Sequence, residues 1–519
     1  MKIRPLLTLI LLSLPLTTSV AQPKDIDTYV EKVMKTFDVP GISLSIVKDG
    51  KVILTKGYGL RTIGTNDRVD DHTLFGIASN TKAFTATAIA LLVEEGKLKW
   101  DAPVINYLPA FRLSDPYVTR ELTIRDLLVH RSGLGLGAGD LLWWPASDYN
   151  RKQIVRQLRY IPLATSFRSA YAYDNVLYLV AGEVIEAVSG QTWEDFVATR
   201  ILAKLGMTST NVRHSDAGMG GNVATPHAPV NGKVRPVKPF TSDNTNPAGG
   251  INTNAVDIAK WMICQLDSGR AADGSRLFSP ASTRQLWGMV TPIPIGDPPP
   301  EVPWLKTNFN GYALGFGIRD YLGRKMVSHT GGLPGYVSRI MMIPALRLGV
   351  AVFTNQESGE AFDAVAYHVV DHYLEAPSFD WLGALHRLRT RIDSITTVLD
   401  ANATAARAVD SRPSLPLERY AGTYTDAWYG DLVITLSGGK LSIRMARTPD
   451  LSGTLEHFQH DTFVARWTDP EMRADAYVTF SLNPDGSIDR VKMQAVSRST
   501  DFSFDFQDLL FKPSGAAGK

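Results

Sequence analysis

The chain has 519 residues, 54 basic and 52 acidic side chains and a formal charge of +2. That length exceeds one ordinary core and implies roughly two to four domains. The near-balanced charge gives no basis for a nucleic-acid or anionic-membrane partner, and the single cysteine, Cys264, excludes an intrachain disulfide.

The N-terminus reads as a processing signal. Lys2 and Arg4 supply a positive start, residues 6–14 are apolar, and Ser19-Val20-Ala21 offers small side chains at a cleavage site. A signal peptide over 1–21, cleaved near Ala21, is predicted, and with it a periplasmic or secreted protein. The apolar run is too short to span a bilayer, and no later segment looks membrane-spanning. Next come a helix over 27–37 and a hairpin over 42–57. Ile42, Leu44 and Ile46 alternate, Asp49-Gly50 makes the turn, and Val52 and Leu54 return. Helices are predicted over 80–95, from 122 to 130 behind Thr123, and over 178–188. Cys264 lies in residues 258–264, which read as an amphipathic helix, and it reads as a packed core thiol. The Pro-rich stretch 292–303 reads as a rigid surface loop. Strands over 337–343 and 348–354 follow. Strands at both ends of a mostly helical stretch pair most simply in one antiparallel sheet flanked by helices, an α/β (α+β) fold. Residues 376–416 read as a helix and linker. From 417 to 519 short strands and tight turns, with hairpins over 431–445 and 476–496, indicate a small β-barrel or sandwich.

Three Ser-x-x-Lys motifs occur: Ser45–Lys48, Ser79–Lys82 and Ser437–Lys440. The first lies in a predicted strand, where positions three apart face opposite ways. The last spans a Gly-Gly turn. Only Ser79–Lys82 opens an apolar helix, where side chains three apart share a face. A free lysine is a poor base for a serine hydroxyl, with roughly 1 in 2500 neutral at pH 7, but burial can lower its pKa into the useful range. Tyr173-Asp174-Asn175 precedes another apolar helix. The tyrosine can relay a proton, and Asn175 offers both donors and an acceptor for positioning. His329-Thr330-Gly331, followed by Gly332, supplies small residues against which a substrate backbone can lie, and His329 joins the catalytic candidates as a group that could hydrogen-bond a substrate carboxylate or carbonyl or help hold Tyr173. Taken singly, each motif also fits a helix cap or a glycine turn. Trp143-Trp144 and Tyr312 are aromatic candidates for pocket walls. No Gly-x-Ser-x-Gly elbow and no His-Glu-x-x-His occurs, which argues against an α/β hydrolase or a metallohydrolase.

The ordered set Ser79–Lys82, Tyr173–Asn175 and His329–Gly331 resembles the serine β-lactamase and penicillin-binding-protein superfamily, in the branch similar to class C β-lactamases, esterases and D-amino-acid peptidases. Phe75-Gly76-Ile77-Ala78 before the serine, the 123–134 stretch, Pro247-Ala248-Gly249-Gly250 and Tyr312–Gly317 carry it further, so that it covers about 25–375. Leu417–Tyr424 resembles the opening of the small lipocalin-like β domain appended to some members. The resemblance implies an acyl-enzyme on Ser79, general base and acid work by Lys82 and Tyr173, positioning by Asn175, and an oxyanion hole from the Ser79 and Gly332 amides. Thr330, Gly331, Gly332, Trp143, Trp144 and Tyr312 would contact substrate. No metal or cofactor is implied. The partner would be a peptide or other small-molecule substrate, and no oligomeric state is implied. His329 stands where β-lactamases usually carry lysine, so at most weak β-lactam turnover is expected. A small-peptide peptidase leads, ahead of a carboxylesterase and of a weakly active β-lactam- or peptidoglycan-binding protein.

Overall fold

The computed structural model describes residues 21–218 and 221–514. The predicted signal segment therefore lies, apart from Ala21, outside the described residues. Among them no helix is long and apolar enough to cross a membrane.

The N-terminal hairpin forms as its alternation requires. Strands Gly41–Lys48 and Lys51–Gly59 are joined by Asp49 and Gly50, both at positive φ (52° and 76°), the geometry of a tight two-residue hairpin turn. This hairpin pairs with the distant strand Leu348–Thr354, Ile42 opposite Thr354 and Lys48 opposite Leu348. The result is one eight-stranded antiparallel sheet. Its order runs Lys51–Gly59, Gly41–Lys48, Leu348–Thr354, Tyr336–Ile343, Arg324–Leu333, Gly317–Tyr321, Asn310–Tyr312 and Thr291–Pro292. One face packs on helices Ile26–Phe37 and Gly359–Leu374 through Val30, Val33, Ile42, Leu44, Val350 and Val365. The other face covers the buried helices Thr81–Glu94 and Val176–Ser189 and helix Ala255–Leu266, which holds the buried Cys264. Helix Val176–Ser189 stops at Gly190, in the left-handed region at φ 73°, whose N–H caps the Glu186 carbonyl.

One predicted helix is absent. Over 122–130 there is only a single 3-10 turn, Asp126–Leu128. The Asp126 carboxylate accepts from the Thr123 hydroxyl (2.7 Å) and backbone (3.0 Å) as in a cap, but it is also held by Arg131 and Arg168. The chain then turns sharply at His130, φ 56°. These tertiary ties override a local helix signal.

Helix Trp381–Ala405 leads into the C-terminal strands. Eight of them, from Gly422–Asp426 to Lys512–Pro513, form a second antiparallel sheet. A bridge between Val491 and Phe511 brings its two ends together, so the barrel is nearly closed. Its apolar residues, among them Tyr420, Trp428 and Phe506, belong to the same continuous core as helix Thr81–Glu94. The segment between Ile488–Ala495 and Lys512–Pro513 reaches back over the first sheet, and this positions the site described next.

Candidate active site

Ser79 lies on a 3-10 turn, Ala78–Asn80, directly ahead of helix Thr81–Glu94. Ala78 sits at φ 47°, a conformation that is costly for a residue with a Cβ. The turn carries Ser79 to a partly exposed position, while Lys82 on the first helical turn is fully buried. Lys82 Nζ lies 3.0 Å from Ser79 Oγ, 2.7 Å from Asn175 Oδ1 and 3.1 Å from the Ala248 carbonyl. The last two are acceptors only. A neutral lysine satisfies them with its two N–H bonds and leaves its lone pair aimed at the Ser79 hydroxyl. Burial pushes the Lys82 pKa down to about 7 against the opposing pull of Asp140 and Asp174. Neutral lysine is therefore well populated near neutral pH.

Tyr173 lines the same cavity as Ser79, and its ring centre lies 5.0 Å from Lys82 Nζ. Burial raises the phenol well above its usual range near 10. Tyr173 is thus a proton donor in the resting site, and the buried cation does not turn it into a phenolate.

The third motif forms the end of strand Arg324–Leu333. That strand pairs with Tyr336–Ile343 as far as Leu333, but with Gly317–Tyr321 only up to Ser328. From His329 to Leu333 it therefore presents a free edge, suited to pairing with an extended substrate backbone. A Cβ built on Gly331 would lie 2.1 Å from the Ile77 carbonyl oxygen and 3.0 Å from the Ala78 Cβ, so only glycine lets the strand approach the Ser79 turn. Gly332 and Thr330 face open space. His329 is used internally. Its Nδ1 lies 2.5 Å from the Thr330 carbonyl oxygen, and its Nε2 lies 2.6 Å from the Tyr312 hydroxyl. Nδ1–H thus donates to the carbonyl and Nε2 accepts from Tyr312. Burial lowers its pKa to about 3, which keeps it neutral.

A cavity of about 420 Å³ opens in front of Ser79. All eleven residues singled out in the sequence are here, and all but Lys82 line it; Lys82 sits behind Ser79. The aromatic residues divide by role. Trp144 and Tyr171 form walls, while the Trp143 indole donates to Asp140 Oδ1 (2.9 Å) and the Tyr312 hydroxyl is taken by His329.

Sequence reasoning missed the groups behind and above the site. Asp140 Oδ2 accepts from Asn175 Nδ2 (2.8 Å), which fixes the amide so that its oxygen faces Lys82. The same oxygen accepts from the Ser503 hydroxyl (2.8 Å), and the Asp505 carboxylate accepts from the amides of Gly139 (2.7 Å) and Leu141 (3.0 Å). Asp501, Phe502 and Ser503 complete the cavity from the C-terminal barrel. These contacts join residues more than 360 positions apart, and no local spacing announces them.

Residues 26–375 match the family model described as Beta-lactamase, and residues 406–513 match a domain of unknown function. The chain is 32% identical to the unguisins hydrolase ungD' of Aspergillus campestris, over 91% of this chain and 89% of that protein. Among solved structures, the octameric penicillin-binding protein homologue from Pyrococcus abyssi superposes with a TM-score of 0.60 at 23% identity, covering 94% of this chain and 99% of that one. The D-amino acid amidase from Ochrobactrum anthropi superposes with a TM-score of 0.53 at 22% identity, over 68% of this chain and 98% of that one.

Proposed function

The chain belongs to the β-lactamase family and is a serine hydrolase; on that premise we propose that it is an exported peptidase cleaving the amide bond of small peptides through an acyl-Ser79 intermediate. The observation that carries the reading is Lys82 Nζ, buried, 3.0 Å from Ser79 Oγ and lowered to about 7. In acylation, Lys82 takes the Ser79 proton as Oγ attacks the carbonyl carbon. The Ser79 and Gly332 amides hold the developing oxyanion. The proton passes by way of Tyr173 to the departing amine, and the C–N bond breaks. Water then attacks the ester carbonyl as Lys82 accepts its proton, and Lys82 returns that proton to Ser79 Oγ as the C–O bond breaks, which frees the acid and restores the serine.

Amides are favoured over esters for two reasons. The named activity of the 32% identical relative is hydrolysis of unguisins, and an amine leaving group needs the proton that the un-ionised Tyr173 can give. The neutral His329 offers no fixed charge for a β-lactam carboxylate, which supports weak β-lactam turnover. Export rests on the sequence of residues 1–21. The test is a panel of short L- and D-peptide p-nitroanilides beside p-nitrophenyl esters, with wild type and Ser79→Ala. Serine-dependent release from peptides with kcat/KM above that for the esters supports the proposal. Serine-dependent turnover of esters alone would make the protein a carboxylesterase. Recovery of a mature chain beginning at Gln22 outside the cytoplasm tests export.

A further inference from the structure

Phe502 is 42% exposed, although it stands within the catalytic cavity with its ring edge-on to Tyr173 at 6.1 Å. An apolar ring left bare beside a nucleophile has a substrate, not protein, as its natural neighbour. Beyond it lies a second, larger cavity of about 680 Å³ between the catalytic region and the barrel. The two cavities share Trp144, Gly332 and Asp501 as walls. Phe240, Leu333, Met472 and Phe504 give the second an apolar floor contributed by both parts of the chain, and Lys238, Asp450 and Glu471 stand on its border.

The charges at the junction are unbalanced. Arg473 pairs with Glu357 through two contacts of 2.6 and 2.7 Å. Asp501 accepts a hydrogen bond only from the Ser503 amide, at 2.9 Å, and among the described residues no basic side chain comes within ion-pair distance of it. Arg473 is thus committed to Glu357, and the exposed Asp501 carboxylate, left without an ion-pair partner, borders both cavities.

Resting on the serine hydrolase reading, we propose that the C-terminal barrel builds a substrate subsite: the interdomain cavity takes an apolar peptide segment, and Asp501 pairs with a cationic group of that peptide. The free edge at 329–333 leads the peptide backbone past Gly332, and the cavity receives what extends beyond. Length, apolarity and one positive charge, read together, then select the substrate. A substrate ammonium restores the balance at Asp501, and Phe502 packs against the residue next to the scissile bond.

The experiment measures how peptides slow labelling of Ser79 by a fluorophosphonate probe in the full chain. The peptides are Val-Leu-Phe-Val tetrapeptides and Val-Leu dipeptides, each in the L and D series. The tetrapeptides carry a free amino terminus, an acetyl cap, or an acetyl cap with one lysine. The proposal expects a cationic tetrapeptide to protect at concentrations at least about tenfold lower than its uncharged form or the dipeptide, the effect of one partly buried charge pair. The lysine peptide distinguishes a side-chain ammonium from a terminal one. Asp501→Asn should erase the charge preference, and Met472→Trp should erase the length preference, each read as protection relative to that variant's own unprotected labelling rate. Equal protection by all peptides, or by none, while Ser79 labels normally, overturns the subsite alone. Failure of Ser79 to label overturns the hydrolase reading and the subsite with it.

Discussion

Gly331→Ala places one methyl where the wall strand touches the nucleophile turn. The added Cβ meets the Ile77 carbonyl oxygen at 2.1 Å, the Ser338 hydroxyl at 2.6 Å and the Ala78 Cβ at 3.0 Å, while ordinary contact begins near 3.4 Å. Ile77 cannot yield easily, because its carbonyl accepts from Ser338 Oγ (2.8 Å) and its N–H donates to Ile251 (3.0 Å). The strand must therefore retreat by over 1 Å and take the Gly332 amide with it. A shift of about 1 Å at a reacting centre costs roughly 100-fold, and loss of an oxyanion donor roughly 100- to 1000-fold. The expected fall in kcat is about 100- to 1000-fold, or about 2.7–4 kcal/mol of transition-state stabilisation. Overpacking of this kind destabilises by about 1–3 kcal/mol, so the melting temperature should drop by a few degrees with the fold retained. Gly332→Ala is the control. Its Cβ meets nothing within 4 Å, and its amide is kept, so it should melt like wild type. The assay is kcat on one chromogenic substrate beside thermal denaturation of all three proteins. A Gly331→Ala protein that keeps kcat within about threefold of wild type would refute the reasoning that this close approach sets the oxyanion site.

Other outcomes follow from the electrostatics. Because Lys82 must be neutral to accept a proton and its pKa is lowered to about 7, kcat/KM should rise with pH through about 7 and then level off, with no descent from Tyr173 below the usual phenol range. A bell-shaped profile centred near neutrality would contradict this. Burial raises the Asp140 carboxyl itself to about 7, and its ionised form raises the Lys82 pKa, so Asp140→Asn should move the upper part of the rising limb to lower pH. It also loosens the hold on the Asn175 amide, and the plateau should fall about tenfold, one charge-assisted hydrogen bond. An unmoved limb would show that Asp140 serves the fold alone. With nitrocefin, a chromogenic β-lactam, kcat/KM should lie at least about 10- to 100-fold below that for the best peptide amide, the cost of lacking one charge-assisted contact. Comparable values would mean that some other group replaces the missing cation.

The legible parts of the molecule were those with short-range causes. The Asp49-Gly50 turn, the apolar run behind Ser79 and the glycines at 331–332 each impose their geometry within a few residues, and their order along the chain brings the three motifs to one face of the sheet. Thr123 and Asp126 resemble a helix start, and the signal was misleading because Arg131 and Arg168 draw the carboxylate into a turn. Asp140, Ser503 and Asp505 were illegible for a different reason. Their roles exist only once the barrel has docked, and an isolated aspartate in a glycine-rich loop carries no periodicity that would reveal a partner over 360 residues away. The inward use of His329 was likewise hidden, since the Tyr312 hydroxyl reaches it only across the sheet.

The central claim is that Ser79, activated by Lys82, forms the covalent intermediate. Its most direct test is the intact mass of the protein after reaction with a fluorophosphonate probe, wild type beside Ser79→Ala. The account predicts one adduct on wild type, mapped to Ser79, and none on the variant. An adduct on both proteins, or on neither, would contradict it.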